Sequence, residues 1–283
     1  MQLTNQSVIR DVMERNGFTF SKALGQNFII NPSVCPRIAQ MGGAAPGVGV
    51  IEIGAGIGVL TAELAKAADK VVCIEIDSRL LPILDETLAE FNNITIINED
   101  VLKVDLHQLI AQEFAGMEVV VCANLPYYIT SPILMALLEQ RLPIQSITVM
   151  VQKEAAQRIC AKPGTRESGA ISAAVSYYSR PQVLFQVSRG SFMPAPDVDS
   201  TVIRLDINQV PPVEVSSEKR LFAVIKGAFA QRRKTVLNTL SSSLGISKEE
   251  LKEVLERAGV KQTARAEELT LQDFGRIANA LEI

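Results

Sequence analysis

At 283 residues, with 47% hydrophobic and 21% charged side chains, the chain can fill one large core plus a small second domain. A net charge of −3 excludes a whole-molecule field that draws in nucleic acid, so any such partner must be met by local patches. One histidine, His107, and four widely spaced cysteines (Cys35, Cys73, Cys122, Cys160) leave little from which to build a His-dependent triad or a zinc site, and no metal is expected.

The N-terminal Met1-Gln2-Leu3-Thr4-Asn5-Gln6 lacks the basic start and apolar run of a signal peptide, and no apolar stretch reaches membrane-spanning length. The expectation is a soluble, cytoplasmic protein with no membrane partner and with its cysteines buried as free thiols. From position 48 to 151, short β-branched runs (48–53, 70–76, 94–98, 119–123 and 146–151) alternate with helical patterns. Leu60, Leu64 and Ala68 share one helical face, as do Leu80, Leu84 and Leu88, and Ile133, Leu137 and Leu138. This is the signature of a parallel sheet covered by helices. A helical stretch follows from 153 to 160, then two further strands at 181–187 and 201–207, for seven strands in all. Consecutive prolines in Asn208-Gln209-Val210-Pro211-Pro212-Val213 disfavour helix and central strand and mark a boundary. Beyond it the spacing is helical: Leu221, Ile225 and Phe229, then Val236, Leu240 and Leu244, then a helix opened by the capping pattern Ser247-Lys248-Glu249-Glu250. The reading is α/β: a Rossmann-like sheet domain over 1–209, with a small helical domain over 210–283.

Ile51-Glu52-Ile53-Gly54-Ala55-Gly56-Ile57-Gly58 joins the first strand of the sheet to a helix. Its G-x-G-x-G spacing differs from the G-x-G-x-x-G that receives a pyrophosphate, and favours a nucleoside without phosphates. Glu75 ends the next strand about 20 residues on, where a carboxylate accepts hydrogen bonds from ribose hydroxyls. Asp100 follows the third, where a carboxylate can accept from an adenine amino group. Either acid alone is a solvated strand end; all three features on successive strand ends point to one nucleoside site.

After the fourth strand comes Asn124-Leu125-Pro126-Tyr127-Tyr128. An aromatic amine is a poor nucleophile because its lone pair is delocalised into the ring. Two acceptors aimed at its two protons, the Asn124 side-chain oxygen and the Leu125 carbonyl, favour the pyramidal nitrogen that can attack a methyl group. Pro126 stiffens this peptide, and Tyr127 offers a ring on which a base can stack.

These peptides, together with Leu24-Gly25-Gln26-Asn27-Phe28, Phe192-Met193-Pro194-Ala195-Pro196-Asp197-Val198-Asp199-Ser200 and Gln231-Arg232-Arg233-Lys234-Thr235, give the chain a near full-length likeness. It resembles the bacterial small-subunit ribosomal RNA adenine dimethyltransferases, the kasugamycin-resistance methyltransferase family. The resemblance implies S-adenosylmethionine as methyl donor and two methyl groups on each of two adjacent adenines. The partner it implies is ribosomal RNA in an immature small subunit. It implies Asn27 and the backbone near Ile29 at the methionine end of the donor, Gly54 and Gly56 beneath it, Glu75 on the ribose and Asp100 on the adenine. Asn124 then faces both donor and acceptor, and Phe192 closes over the target base opposite Tyr127.

RNA contacts are expected from Lys226, Arg232, Arg233 and Lys234, with Lys153, Arg158, Lys162 and Arg166 after the fifth strand; any one of these charges alone reads equally as a solvated face. A monomer is the default, since no dimer motif is evident. Two other readings stay open. A large-subunit ribosomal RNA adenine methyltransferase of the antibiotic-resistance type shares the donor and asparagine motifs. An assembly factor with secondary catalysis is compatible with the same residues. DNA methylation is disfavoured because no separate target-recognition domain is visible, and a small-molecule acceptor leaves the basic helical domain unexplained.

Overall fold

The apolar runs between positions 48 and 151 become neighbouring strands in a computed structural model that describes residues 1–21 and 24–281. In chain order the elements are α1 (Gln6–Arg15), β1 (Phe28–Ile29), α2 (Val34–Met41), β2 (Val48–Ile53), α3 (Val59–Ala67), β3 (Lys70–Glu75), α4 (Leu81–Thr87), β4 (Ile94–Asn98), α5 (Leu106–Glu113), β5 (Glu118–Asn124), α6 (Thr130–Glu139), β6 (Ser146–Gln152) and α7 (Lys153–Ile159). There follow α8 (Ala170–Tyr178), β7 (Ser179–Val187), β8 (Phe192–Met193), β9 (Ser200–Ile207), α9 (Glu218–Ala228), α10 (Val236–Leu244), α11 (Lys248–Arg257) and α12 (Leu271–Ala280).

Seven strands lie side by side in the order β4-β3-β2-β5-β6-β9-β7, giving the α/β Rossmann-like sheet. Pairing is parallel from β4 through β6, and β9 runs antiparallel to β6. Central strands β2 and β3 bury every residue after their first, as strands with helices on both faces must. Ile51 and Val72 keep no exposed surface, and burying such a side chain contributes on the order of 2 kcal/mol. The expected helical faces are the buried ones: Leu60, Leu64 and Ala68; Leu80, Leu84 and Leu88; Ile133, Leu137 and Leu138. From β2 the chain steps outward to β3 and β4, then returns to β5 on the other side of β2. The carboxyl ends of β2 and β5 therefore flank a topological switch point, the usual ligand-binding crevice of an open α/β sheet.

The chain folds as two compact units, Met1–Ala156 with Gln182–Ile207, and Gln157–Pro181 with Asn208–Ile283. A single boundary is expected near 209; in addition, residues 157–181 group with the helices. The reason is aromatic packing from α8: the Tyr177 and Tyr178 rings lie 5.5 and 5.3 Å from that of Phe222 on α9, and the Tyr177 hydroxyl donates to Glu218 Oε1 at 3.1 Å. Within this unit Leu221, Val224, Ile225, Val236, Leu240, Leu251, Leu255, Phe274 and Ile277 are buried, and Ser247 caps α11 by accepting from the Glu250 amide. Cys160, expected to be buried, is only partly covered, whereas Cys35, Cys73 and Cys122 are buried free thiols. Among the described residues no helix is long and apolar enough to cross a membrane.

Candidate functional site

The turn after β2 is built on Gly54 and Gly56, with φ of 78° and 58°, a left-handed conformation that costs an L side chain energy. The turn is tied to its neighbour strand: the Gly54 amide donates to the Ile74 carbonyl at 2.9 Å and the Gly56 amide to Glu75 Oε2 at 3.0 Å. Glu75 Oε1 accepts the Asp77 amide at 2.9 Å, so both carboxylate oxygens are oriented by backbone and each keeps capacity for a further donor. Burial raises the Glu75 carboxyl above its usual range, while these two backbone bonds act to lower it. Asp100 is half-buried beyond β4, where one oxygen accepts the Leu102 amide at 3.0 Å.

At the end of β5, Asn124 Nδ2 donates to the Asn27 carbonyl at 3.5 Å. This turns the amide nitrogen toward the Leu24–Phe28 segment, and among the described residues no donor occupies Asn124 Oδ1. Leu125 is buried, and the Tyr127 hydroxyl pairs with Ser200 Oγ at 2.7 Å, which fixes its ring from β9. Phe192 is buried on β8, whose antiparallel pairing with β1 sets Ile29 opposite Phe192 and Phe28 opposite Met193.

One cleft with about 920 Å³ of empty space, open solvent included, is lined by Asn27, Gly54, Gly56, Glu75, Asp100, Asn124, Leu125, Tyr127 and Phe192. The site residues expected from the sequence are thus brought together, with one difference: Ile29 lines a smaller adjoining cavity, which Asn27, Gly54, Gly56 and Asn124 share. The cleft offers carboxylates and an amide oxygen. It suits a ligand rich in hydroxyl and amino donors and repels a phosphate, which fits S-adenosylmethionine.

Over residues 17–282 the chain matches the family model described as ribosomal RNA adenine dimethylase. The chain belongs to this family. It is similar to ribosomal RNA small subunit methyltransferase A of Bacillus cytotoxicus, 49% identical over 276 residues that cover 96% of this chain and 94% of the relative. Among solved structures it is similar to the 23S rRNA methyltransferase ErmE, at 27% identity and a TM-score of 0.68, covering 91% of this chain and 100% of that one. It is also similar to a dimethyladenosine transferase from Plasmodium falciparum, at 25% identity and a TM-score of 0.71, covering 88% and 95%.

In this ribosomal RNA adenine dimethylase chain, Gln26, Ile76 and Tyr128 also line the cleft, and Asp77 and Arg79 lie in the turn after β3. Gln26 accepts the Ser21 amide at 2.8 Å and donates to Asp77 Oδ2 at 2.7 Å, linking the segment before β1 to the turn after β3. Arg79 hydrogen-bonds Asp77 and thereby holds its carboxyl below the usual range. Ile76 and Tyr128 line the cleft, with 56% and 62% of their surfaces exposed. Gln26 and Tyr128 fall inside motif peptides, and Asp77 has a readable signal as an acid two places after Glu75. In the helical unit Lys226, Arg232, Arg233 and Lys234 are exposed, as are Arg158, Lys162 and Arg166. Arg232 Nη2 donates to the Arg166 carbonyl at 3.4 Å, so two basic segments far apart in sequence meet within this unit. Lys153 belongs to the sheet unit.

Proposed function

We propose that this chain transfers methyl groups from S-adenosylmethionine to the N6 amines of two adjacent adenines in small-subunit ribosomal RNA, acting as a monomer on an immature subunit. The supporting observation is that Asn124 and Gly54, at the carboxyl ends of adjacent strands, line one cleft together with Phe192 and Tyr127. The small-subunit target is favoured over the 23S rRNA target of ErmE by 49% against 27% identity.

S-adenosylmethionine supplies an electrophilic methyl group on a sulfonium that loses its charge on transfer. Glu75 accepts the ribose hydroxyls, Asp100 the adenine amino group, and Asn27 with the backbone at Ile29 holds the methionine end above Gly54 and Gly56. Asn124 Oδ1 and the Leu125 carbonyl each accept one proton of the target amine, which localises its lone pair toward the methyl carbon. As the new C–N bond forms, the C–S electron pair stays on sulfur and the surplus proton on nitrogen passes to water. No strong base is needed, and positioning carries most of the rate. Tyr127 and Phe192 hold a splayed-out adenine between two rings. A base is easier to withdraw before the subunit has packed around it, which favours the immature particle. Lys226, Arg232, Arg233 and Lys234, with Arg158, Lys162 and Arg166, meet phosphates; Lys153 adds a charge from the sheet unit.

Asn124→Ala tests the reading. Methyl transfer falls about 10²–10³-fold, the usual effect of losing one group that stabilises a transition state, while S-adenosylhomocysteine binding, read by calorimetry, stays within about tenfold. Transfer within threefold of the parent would contradict the role given to Asn124.

A further inference from the structure

Asn27 sits between two anchors. After it, Phe28 pairs with Met193 of β8, and its ring packs against those of Phe18 and Phe20 with centroids 6.1 and 5.1 Å away. Before it, the half-buried Gln26 side chain accepts the Ser21 amide through Oε1 at 2.8 Å and donates through Nε2 to Asp77 Oδ2 at 2.7 Å. Asp77 is 6% exposed and is itself pinned: Arg79 donates from Nε to Oδ1 at 2.9 Å and from Nη2 to Oδ2 at 2.7 Å, and the Asp77 amide donates to Glu75 Oε1. The Arg79 bonds, with that from Gln26, hold the Asp77 carboxyl below its usual range, so it remains an ionised acceptor and the bond from Gln26 is charge-assisted. The Asn27 carbonyl, held between these anchors, accepts Asn124 Nδ2 at 3.5 Å. That length is near the limit of hydrogen bonding, so the bond survives only while the carbonyl keeps its place.

We propose that Gln26 is a positioning residue for methyl transfer: by clasping Asp77 it fixes the Asn27 carbonyl, which sets the way the Asn124 amide faces. This rests on the role proposed above for Asn124 Oδ1 as an acceptor for the target amine. The two ends of an amide have nearly the same shape and opposite hydrogen-bonding character. Pairing of Asn124 with Met150 of β6 holds its backbone, and among the described residues the Asn27 carbonyl is the partner that orients its side chain. With Nδ2 engaged there, Oδ1 is left for an N–H donor. Without that tie the amide turns, and the flipped form sets its own N–H groups against those of the amine.

A double-mutant cycle with the full chain, immature small subunits and saturating labelled S-adenosylmethionine tests this. Gln26→Ala is expected to lower kcat about 10–100-fold, the range that a misplacement of about 1 Å costs. In an Asn124→Ala background, where no amide is left to orient, the same change alters kcat about twofold at most. Equal decreases in the two backgrounds overturn the proposal, because they mark a role that does not pass through Asn124, and so does a Gln26→Ala chain as active as the parent. Exchanging the partners, Gln26→Glu with Asp77→Asn, lets an amide at 77 donate to a carboxylate at 26 and reverses the same bond. This pair of changes is expected to restore kcat about tenfold over Gln26→Glu alone. No recovery, with each variant shown to be folded by a thermal melt, also overturns the proposal. If the parent transfers no methyl group, or Asn124→Ala matches it, the role given to Asn124 fails and this inference with it.

Discussion

Glu52, buried in β2, leaves a signature in the stability of the ligand-free chain. Its carboxyl is moved from 4.5 to about 7 on folding, so the folded state holds this proton more tightly than the unfolded one. The resulting stabilisation is complete below the ordinary carboxylate range and is lost as pH rises through about 7. Glu52→Gln keeps a neutral side chain at every pH. Denaturant melts therefore gain for the variant, relative to the parent, on the order of 3 kcal/mol between pH 4 and pH 8. A difference that does not change with pH would mean that Glu52 is ionised in the folded chain. At the proposed acceptor end, the ring and the hydroxyl of Tyr127 can be tested separately. Tyr127→Phe keeps the ring and removes only the Ser200 bond, so kcat/KM for RNA changes a few-fold, whereas Tyr127→Ala removes a stacking face and lowers it about 10–100-fold. Equal decreases in the two variants would place the role in the hydroxyl.

The strands that carry these residues depend on close backbone packing. A Cβ added at Gly49 of β2 would lie 2.1 Å from the ring of Phe114, which is itself buried, so the ring sits directly on the strand. Gly49→Ala is expected to destabilise the chain by about 1–3 kcal/mol, read as a shift in denaturant midpoint with an unchanged slope. An unchanged midpoint would show that Phe114 has room to move. The sheet was legible because parallel strands buried on both faces read as β-branched runs, and the motifs at their ends were legible because loops at a switch point carry the chemistry. Other elements had no such periodic mark. In α8, Ala173, Ala174, Val175, Tyr177 and Tyr178 are all buried, which removes the polar face that makes a helix visible, and hides the fact that residues 157–181 join the helical unit. β1 and β8 are two residues each, and their pairing joins positions more than 160 residues apart, which no local pattern can encode. The link from Gln26 to Asp77 is of the same kind, a side-chain hydrogen bond between distant loops.

At the scale of the whole chain, a net charge of −3 must be reconciled with an RNA substrate. The helical unit offers a local solution, since exposed Arg232, Arg233 and Lys234 share it with Arg158, Lys162 and Arg166. Replacing Lys226, Arg232, Arg233 and Lys234 by alanine is expected to weaken small-subunit binding and to flatten its log–log salt dependence by about 0.7–0.9 for each phosphate that is no longer neutralised. Binding of S-adenosylhomocysteine to the sheet unit should be unchanged. An unaltered salt slope would remove the helical patch from the RNA interface.

The most direct test of the proposed activity is to give the chain labelled S-adenosylmethionine with immature small subunits, with large subunits and with DNA, and to analyse the modified nucleosides. N6,N6-dimethyladenosine is expected in the small subunit alone, at two sites per particle. Label confined to large subunits or DNA, or no transfer to any substrate while immature subunits are still bound, would contradict that assignment.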